Sequence, residues 1–312
     1  MEAREATRSG PSRAEREDFR ATSDPALQEA ADRGQAMLLG YQQLYELWER
    51  QQWATQDLDF SQDRIDWHER IDEEERYQRL YGLSSFFIGE QKVADELGPI
   101  MRAAPAETQR IFLGTQIADE ARHVRFFDRF FSEVAVLEDA PELRQRLEAL
   151  ERHLSPAFGE LFDGLLTPRV DRLAAEPSDR KALVEAVTLY HMVIEGMLAL
   201  TGQHFIIDYN EQQGTLPGFV EGFSNVARDE HRHIAFGVRF LVDAVEEDDS
   251  NREVIQRMLE QAIPVADRVI DPPWAEDADL ELFGVDREDV HAFAAQCLSR
   301  RLKAIGLVPA SA

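Results

Sequence analysis

A Glu-x-x-His spacing occurs twice in this chain, in Asp119-Glu120-Ala121-Arg122-His123 and in Asp229-Glu230-His231-Arg232-His233. Residues three apart on an α-helix share one face, so each copy presents a carboxylate and an imidazole together. Both copies lie in long apolar-periodic runs. Ile111, Phe112, Ile117, Phe126, Phe127 and Phe130 surround the first; Phe219, Phe223, Val226, Ile234, Phe236, Val238, Phe240 and Leu241 surround the second. Such a stripe faces a core, where an unsatisfied Glu and His are costly. A divalent metal satisfies both at once, and two such helices can hold two metals.

A two-metal site in a four-helix bundle needs one further carboxylate from each of the other two helices. Glu90 interrupts the apolar run Leu83-Ser-Ser-Phe-Phe-Ile-Gly-Glu90, and Glu195 interrupts Tyr190-His-Met-Val-Ile-Glu195-Gly-Met-Leu-Ala-Leu. Each precedes its Glu-x-x-His by a helix-loop-helix distance, 30 positions for Glu90 to Glu120 and 35 for Glu195 to Glu230. The expected metal ligands are therefore Glu90, Glu120, His123, Glu195, Glu230 and His233. One Glu-x-x-His alone is equally a salt-bridged surface turn. Two copies in register, each preceded by a lone Glu in an apolar run, favour the metal.

Composition narrows the chemistry. A net charge of -26 argues against binding nucleic acid or an anionic membrane surface through charge. Cys297 is the one cysteine, which excludes disulfides within the chain, Cys-ligated zinc and iron–sulfur clusters. Oxygen and imidazole ligands suit iron or manganese. No stretch is expected to reach the roughly 20 apolar residues of a membrane span, and the polar N-terminus lacks a signal-peptide hydrophobic region; a cytoplasmic protein is the expectation.

Read in order, residues 1–34 are rich in Arg, Glu, Ala and Ser, a composition that does not order itself, and are expected to form a tail. An aromatic segment from Met37 to Trp53 should lie as a helix over the bundle. Ligand helices are expected at about 73–101, 106–137, 178–210 and 218–245, with Pro105 near one helix start and Ser178-Asp179 capping another. Pro141 to Leu166 reads as packing helix. Helices from Val254 to Val269 and Asp286 to Ile305 should follow, then a short tail, 306–312. With no convincing strand alternation, the fold class is all-α, a single helical domain over 35–305.

Glu, Glu-x-x-His, Glu, Glu-x-x-His resembles the ferritin-like di-metal carboxylate proteins, which implies a ferritin-like four-helix bundle with additional helices. Asp63-Arg-x-Asp-Trp67, Phe87-Ile-Gly-Glu90-x-x-Val93 and Tyr190-x-x-x-x-Glu195-Gly-Met-Leu-Ala-Leu-Thr-Gly202 are similar to the ligand-binding oxidases related to the small subunit of ribonucleotide reductase. That resemblance implies a manganese/iron pair, or alternatively two irons, that activates dioxygen beside a long-chain fatty acid or similar apolar ligand. It also implies an ether cross-link between Tyr190 and Val93, and a homodimer. Without it, both residues read as core. By position Tyr190, five residues before Glu195, should lie off the ligand face yet near the metals, with Val93 on the ligand face. In radical-bearing reductase subunits a tyrosine follows the first ligand His by four positions, where this chain has Phe127, and no tyrosine follows Tyr209. Both departures weaken a radical-generating role, which stays open beside a non-catalytic metal-binding or storage role.

Asp119 and Asp229 point about 100° away from the neighbouring glutamates. Each can accept from a ligand His or pair with Arg122 and Arg232; the ion pair is the expectation for Asp119. His191, His204 and His231 do not share the ligand face. Gly89 and Gly196 flank the single glutamates and leave room for close helix approach or a ligand tail.

Overall fold

The computed structural model describes residues 38–137, 139–274 and 281–307. The expected tail at 1–34 lies outside the described residues, as do Met37 and 308–312. Among the described residues the architecture is helical. Its elements are α1 (Tyr41–Arg50), α2 (Ser61–Ile65), α3 (Glu73–Ala103), α4 (Glu107–Glu133), α5 (Leu143–Leu150), α6 (156–175), α7 (Arg180–Gln213), α8 (Pro217–Glu247), α9 (Asn251–Ile270) and α10 (Arg287–Ile305). A two-residue hairpin, β1 (Glu281–Leu282) with antiparallel β2 (Val285–Asp286), precedes α10.

Local chemistry sets the ends of the ligand helices. Asp72 accepts from the Glu75 amide at 2.9 Å, and Glu73, Glu74 and Glu75 fill the first turn of α3, where negative charge complements the helix dipole. Asp179 accepts from the Ala182 amide at 3.0 Å and starts α7; Gly214, at φ 60°, ends it. α4 stops at Glu133 rather than near Leu137, because Ala135 takes the left-handed conformation at φ 58°. α8 begins with Pro217 after Leu216 at φ 52°, an unfavourable conformation for a branched residue. Asp66 holds it there by accepting from the Leu216 amide at 2.9 Å, while Asp63 takes the Gly218 and Phe219 amides at 2.9 and 2.6 Å. The Asp63-Arg-x-Asp-Trp67 stretch thus anchors the second Glu-x-x-His helix.

α3 pairs with α4 and α7 with α8, while α1 lies across α4 and α8 and both α9 and α10 cover α7. Phe87, Phe126, Phe127, Phe131, Phe219 and Phe223 are fully buried between the halves, each contributing about 1.5–3 kcal/mol by leaving water. Gly237 lets α8 approach α7: a Cβ there would stand 2.2 Å from that of His191. α7 corrects the expectation about apolar stretches. It has 34 residues and a window of mean hydropathy 1.5, enough by length and composition to cross a bilayer, but 83% of that window is buried inside the fold. It is the core helix of the bundle.

Candidate metal centre

Six side chains from four helices meet in the core: Glu90 from α3, Glu120 and His123 from α4, Glu195 from α7, Glu230 and His233 from α8. They form two overlapping groups, Glu90–Glu120–His123–Glu230 and Glu120–Glu195–Glu230–His233, whose ligand atoms lie within 4.8 Å of one another. His123 Nδ1 is 3.2 Å from Glu90 Oε2, 3.4 Å from Glu120 Oε2 and 3.5 Å from Glu230 Oε1. His233 Nδ1 is 3.5 Å from both Glu120 Oε1 and Glu195 Oε1, and 3.6 Å from Glu230 Oε2. Glu120 and Glu230 therefore each turn one oxygen to either imidazole.

Several of these atoms face one another without making a hydrogen bond. Glu120 Oε2, Glu195 Oε2, Glu230 Oε2 and His233 Nδ1 are buried without a hydrogen bond. Burial and the Glu120 and Glu230 charges oppose ionisation of Glu90, whose carboxyl is pushed up to about 8. Burial and the neighbouring carboxylates also raise Glu195 and Glu230. Burial works against Glu120 as well, yet the His123 hydrogen bond and the His233 charge bring it down to about 2. Four carboxylates and two imidazoles with orphaned atoms suit two divalent cations, whose charge balances the carboxylates and whose coordination uses those atoms.

The far side of each imidazole is held crosswise. His123 Nε2 lies 3.3 Å from Asp229 Oδ2, and His233 Nε2 lies 3.2 Å from Asp119 Oδ2. Each His thus meets the Asp of the opposite motif, which leaves Nδ1 for the cluster. Arg232 donates to both Asp residues, at 2.9 Å to Asp119 and 2.6 Å to Asp229. Trp48 Nε1 donates to Asp119 at 2.9 Å and Trp53 Nε1 to Asp229 at 2.7 Å. Asp119 does pair with Arg122, at 3.2 Å, but the ion-pair expectation missed its contact with His233. Sequence reasoning likewise placed Trp48 and Trp53 only in an aromatic segment; no periodicity marks a contact spanning 71 or 176 positions.

α7 widens where it carries Glu195. Over Thr188–Ala199 its hydrogen bonds run i→i+5, and the wider turn brings a residue five positions on, which an ordinary α-helix points well away, nearer the same face. Tyr190 therefore turns toward the cluster with Glu195, and its hydroxyl donates to Glu120 Oε1 at 3.0 Å. Burial, then Glu120, Glu195 and Glu230, raise the phenol well above its ordinary value, keeping it a protonated donor. Val93, one turn beyond Glu90, is buried and lines a cavity. Gln116, another residue the sequence did not single out, donates to Glu195 Oε1 at 2.8 Å. His191 contacts Gln116, His231 bonds the Ala227 carbonyl, and His204 stacks on Phe293; none joins the cluster.

The cavity has a volume of about 620 Å³ and reaches Glu90, Glu195 and Glu230. Phe86, Phe162, Ile194 and Phe205 are among its apolar walls, and Glu75, Arg79 and Tyr209 border its other end. Gly89 also borders it, with only Phe162 within 4 Å of a Cβ placed there, whereas Gly196 is tightly packed against Arg301.

A family model described as ribonucleotide reductase, small chain, matches residues 39–310. The chain belongs to that family. Solved structures of R2-like ligand-binding oxidase are similar along 88% of this chain and 94% of theirs, each with a TM-score of 0.74. They include a valine-to-leucine variant, at 26% identity, and a tyrosine-to-phenylalanine variant, at 25%, both with an anaerobically reconstituted Mn/Fe cofactor. A glycine-to-leucine variant, at 25% identity, has a non-activated Mn/Mn cofactor after aerobic reconstitution with Mn and Fe. The ferritin-like helical fold expected from the sequence is the fold of this family member.

Proposed function

We propose that this chain is a di-metal oxidase that activates dioxygen beside a bound long-chain apolar ligand, with Glu90, Glu120, His123, Glu195, Glu230 and His233 as its metal ligands. The observation that carries this reading is the opening of two overlapping Glu/His groups onto a long apolar cavity. The cavity follows α3 from Glu75 to Val93, eighteen positions, or about 27 Å of helix. At roughly 1.3 Å of advance per C–C bond, that length accommodates an extended chain of up to about 20 carbons. A fatty acid has the required apolar length and a carboxylate that suits cations. The similar oxidase structures with Mn/Fe cofactors support one manganese and one iron per chain, with two irons as the alternative.

When bound, such a pair supplies the electrons and the Lewis acidity for reducing dioxygen. The protein contributes two carboxylates that face both halves, imidazoles oriented from behind, and phenylalanine walls that keep water from the oxidant. Tyr190 and Val93 are the proposed cross-link partners. Joining the Tyr190 oxygen to a Val93 side-chain carbon breaks the phenol O–H bond and one C–H bond and removes two protons and two electrons in all from the protein, with dioxygen as the electron acceptor. The hydrogen bond from the phenol to Glu120 Oε1, at 3.0 Å, supports this reading by holding the Tyr190 oxygen beside the cluster. A radical-generating role is disfavoured by Phe127, whose ring is buried against Phe86, Phe87 and Phe223 and cannot form a phenoxyl radical.

Loading the purified protein with Fe(II) and Mn(II) and admitting air tests this proposal. Two metals per chain, an intact mass lower by about 2 Da and joined peptides around Val93 and Tyr190 are expected. Tyr190→Phe should keep both metals and lose the link. Metal content near zero would overturn the site, and two metals with unlinked peptides would favour the radical or storage reading.

A further inference from the structure

The two halves of the cluster have the same ligand types but differ at their single carboxylates. Glu90 meets His123 and no neutral donor in its described hydrogen bonds. Glu195 is held by Gln116, whose Nε2 donates to Oε1 at 2.8 Å. Glu195 as a metal-binding carboxylate only accepts, so toward it the Gln116 amide turns its NH2, as in the 2.8 Å contact, and its carbonyl faces the other side. There His191 Nε2 lies 3.2 Å from Gln116 Oε1, and the imidazole must present an N–H. Gln116 and His191 are both fully buried, which leaves the amide no solvent in which to turn. His191 is itself wedged against Gly237 of α8 and Phe236.

We propose that Gln116, oriented by His191, is a positioning residue that makes the Glu195–His233 half the tighter of the two metal sites. This inference rests on the di-metal reading above. With Oε1 engaged by Gln116, Glu195 keeps its orphaned Oε2 for a cation and loses little freedom on binding. Glu90 has no such outside donor, its one described hydrogen bond being to His123 of the cluster itself, so its carboxylate can change mode beside the open space at Gly89 and the cavity. One half is preorganised and the other adaptable, although the ligand types are identical. Residues behind a ligand typically contribute 10- to 100-fold in metal affinity.

Anaerobic Mn(II) titration, followed by loss of the free-ion electron paramagnetic resonance signal, is the test. The full-length protein should bind in two steps, with Glu90→Ala keeping the tight one and Glu195→Ala losing it. Gln116→Met, of similar size without a donor, should weaken the tight step about 10- to 100-fold and change the other step less than about threefold. Gln116→Glu, which sets a carboxylate against that of Glu195, should weaken the tight step at least as much. An unchanged thermal midpoint of the metal-free variants separates positioning from damage to the core. Should Gln116→Met destabilise the fold, Gln116→Glu carries the test. Equal weakening of both steps, or an unchanged tight step, overturns the role of Gln116 while leaving the di-metal reading intact. Failure of the unaltered protein to bind two Mn(II) ions would instead overturn that reading.

Discussion

Asp119 accepts from the imidazole of His233 at 3.2 Å across 114 positions of chain, and Asp229 does the same for His123 at 3.3 Å. Each Glu-x-x-His motif is therefore braced by the residue in front of the other. Removing either Asp should release an imidazole on the opposite helix. Asp119→Ala is expected to lower metal affinity about 10- to 100-fold and to perturb the His233 half first. Metal-competition titration checks the size. Spectra of the singly loaded protein check the half affected, and equal loss in both halves would contradict the crosswise bracing.

Metal uptake should be steeply pH-dependent. Burial pushes Glu90 up to about 8 from an ordinary 4.5 and raises Glu195 and Glu230 in the same direction, so Glu90 holds a proton that a metal must displace. Affinity should rise as pH increases from 6 to 8, about tenfold per unit for each proton displaced. A flat profile in competition titrations across that range would refute proton-coupled uptake.

Stability of the metal-free protein should run the other way. Because the folded pKa of Glu90 exceeds its unfolded value, the native state binds the extra proton between about pH 4.5 and 8, and its contribution makes stability fall as pH rises through that window. Thermal unfolding of the metal-free protein at pH 5.5 and 8 measures this. Glu90→Gln should reduce the difference.

The close approach of α7 and α8 predicts a packing defect. Gly237→Ala would set a Cβ 2.2 Å from that of His191, and overpacking of this kind costs about 1–3 kcal/mol. Chemical denaturation should show a lower midpoint. Gly214→Ala instead tests backbone conformation, since no atom lies within 4 Å of a Cβ there but φ is 60°.

A homodimer remains a proposal drawn from the resemblance to ligand-binding oxidases. Light scattering at micromolar concentration should give a mass near twice 35.6 kDa; a mass near one chain would exclude it.

The sequence by itself determined the four long helices of the bundle and which residues enter the cluster, though not the short helix at Ser61–Ile65 or the break between Leu150 and Pro156. Helical apolar periodicity and the three-residue Glu–His spacing are local properties, so Glu120, His123, Glu230 and His233 were legible from neighbouring positions, and Glu90 and Glu195 from their isolation in apolar runs. Caps at Asp72 and Asp179 and the stop at Gly214 are local as well. The widened turn of α7 was not legible: an i→i+5 pattern leaves the same apolar composition as an ordinary helix, yet it moved Tyr190 onto the face of Glu195. Nor was the role of Asp119, because its choice between Arg122 and His233 depends on the distance between α4 and α8, and it makes both contacts. Trp48, Trp53 and Gln116 reach the cluster through long-range hydrogen bonds. Only tertiary structure decided those contacts, since a hydrogen bond between separate elements is selected by how helix axes and rotamers meet, and neither is written in the spacing of residues along one helix.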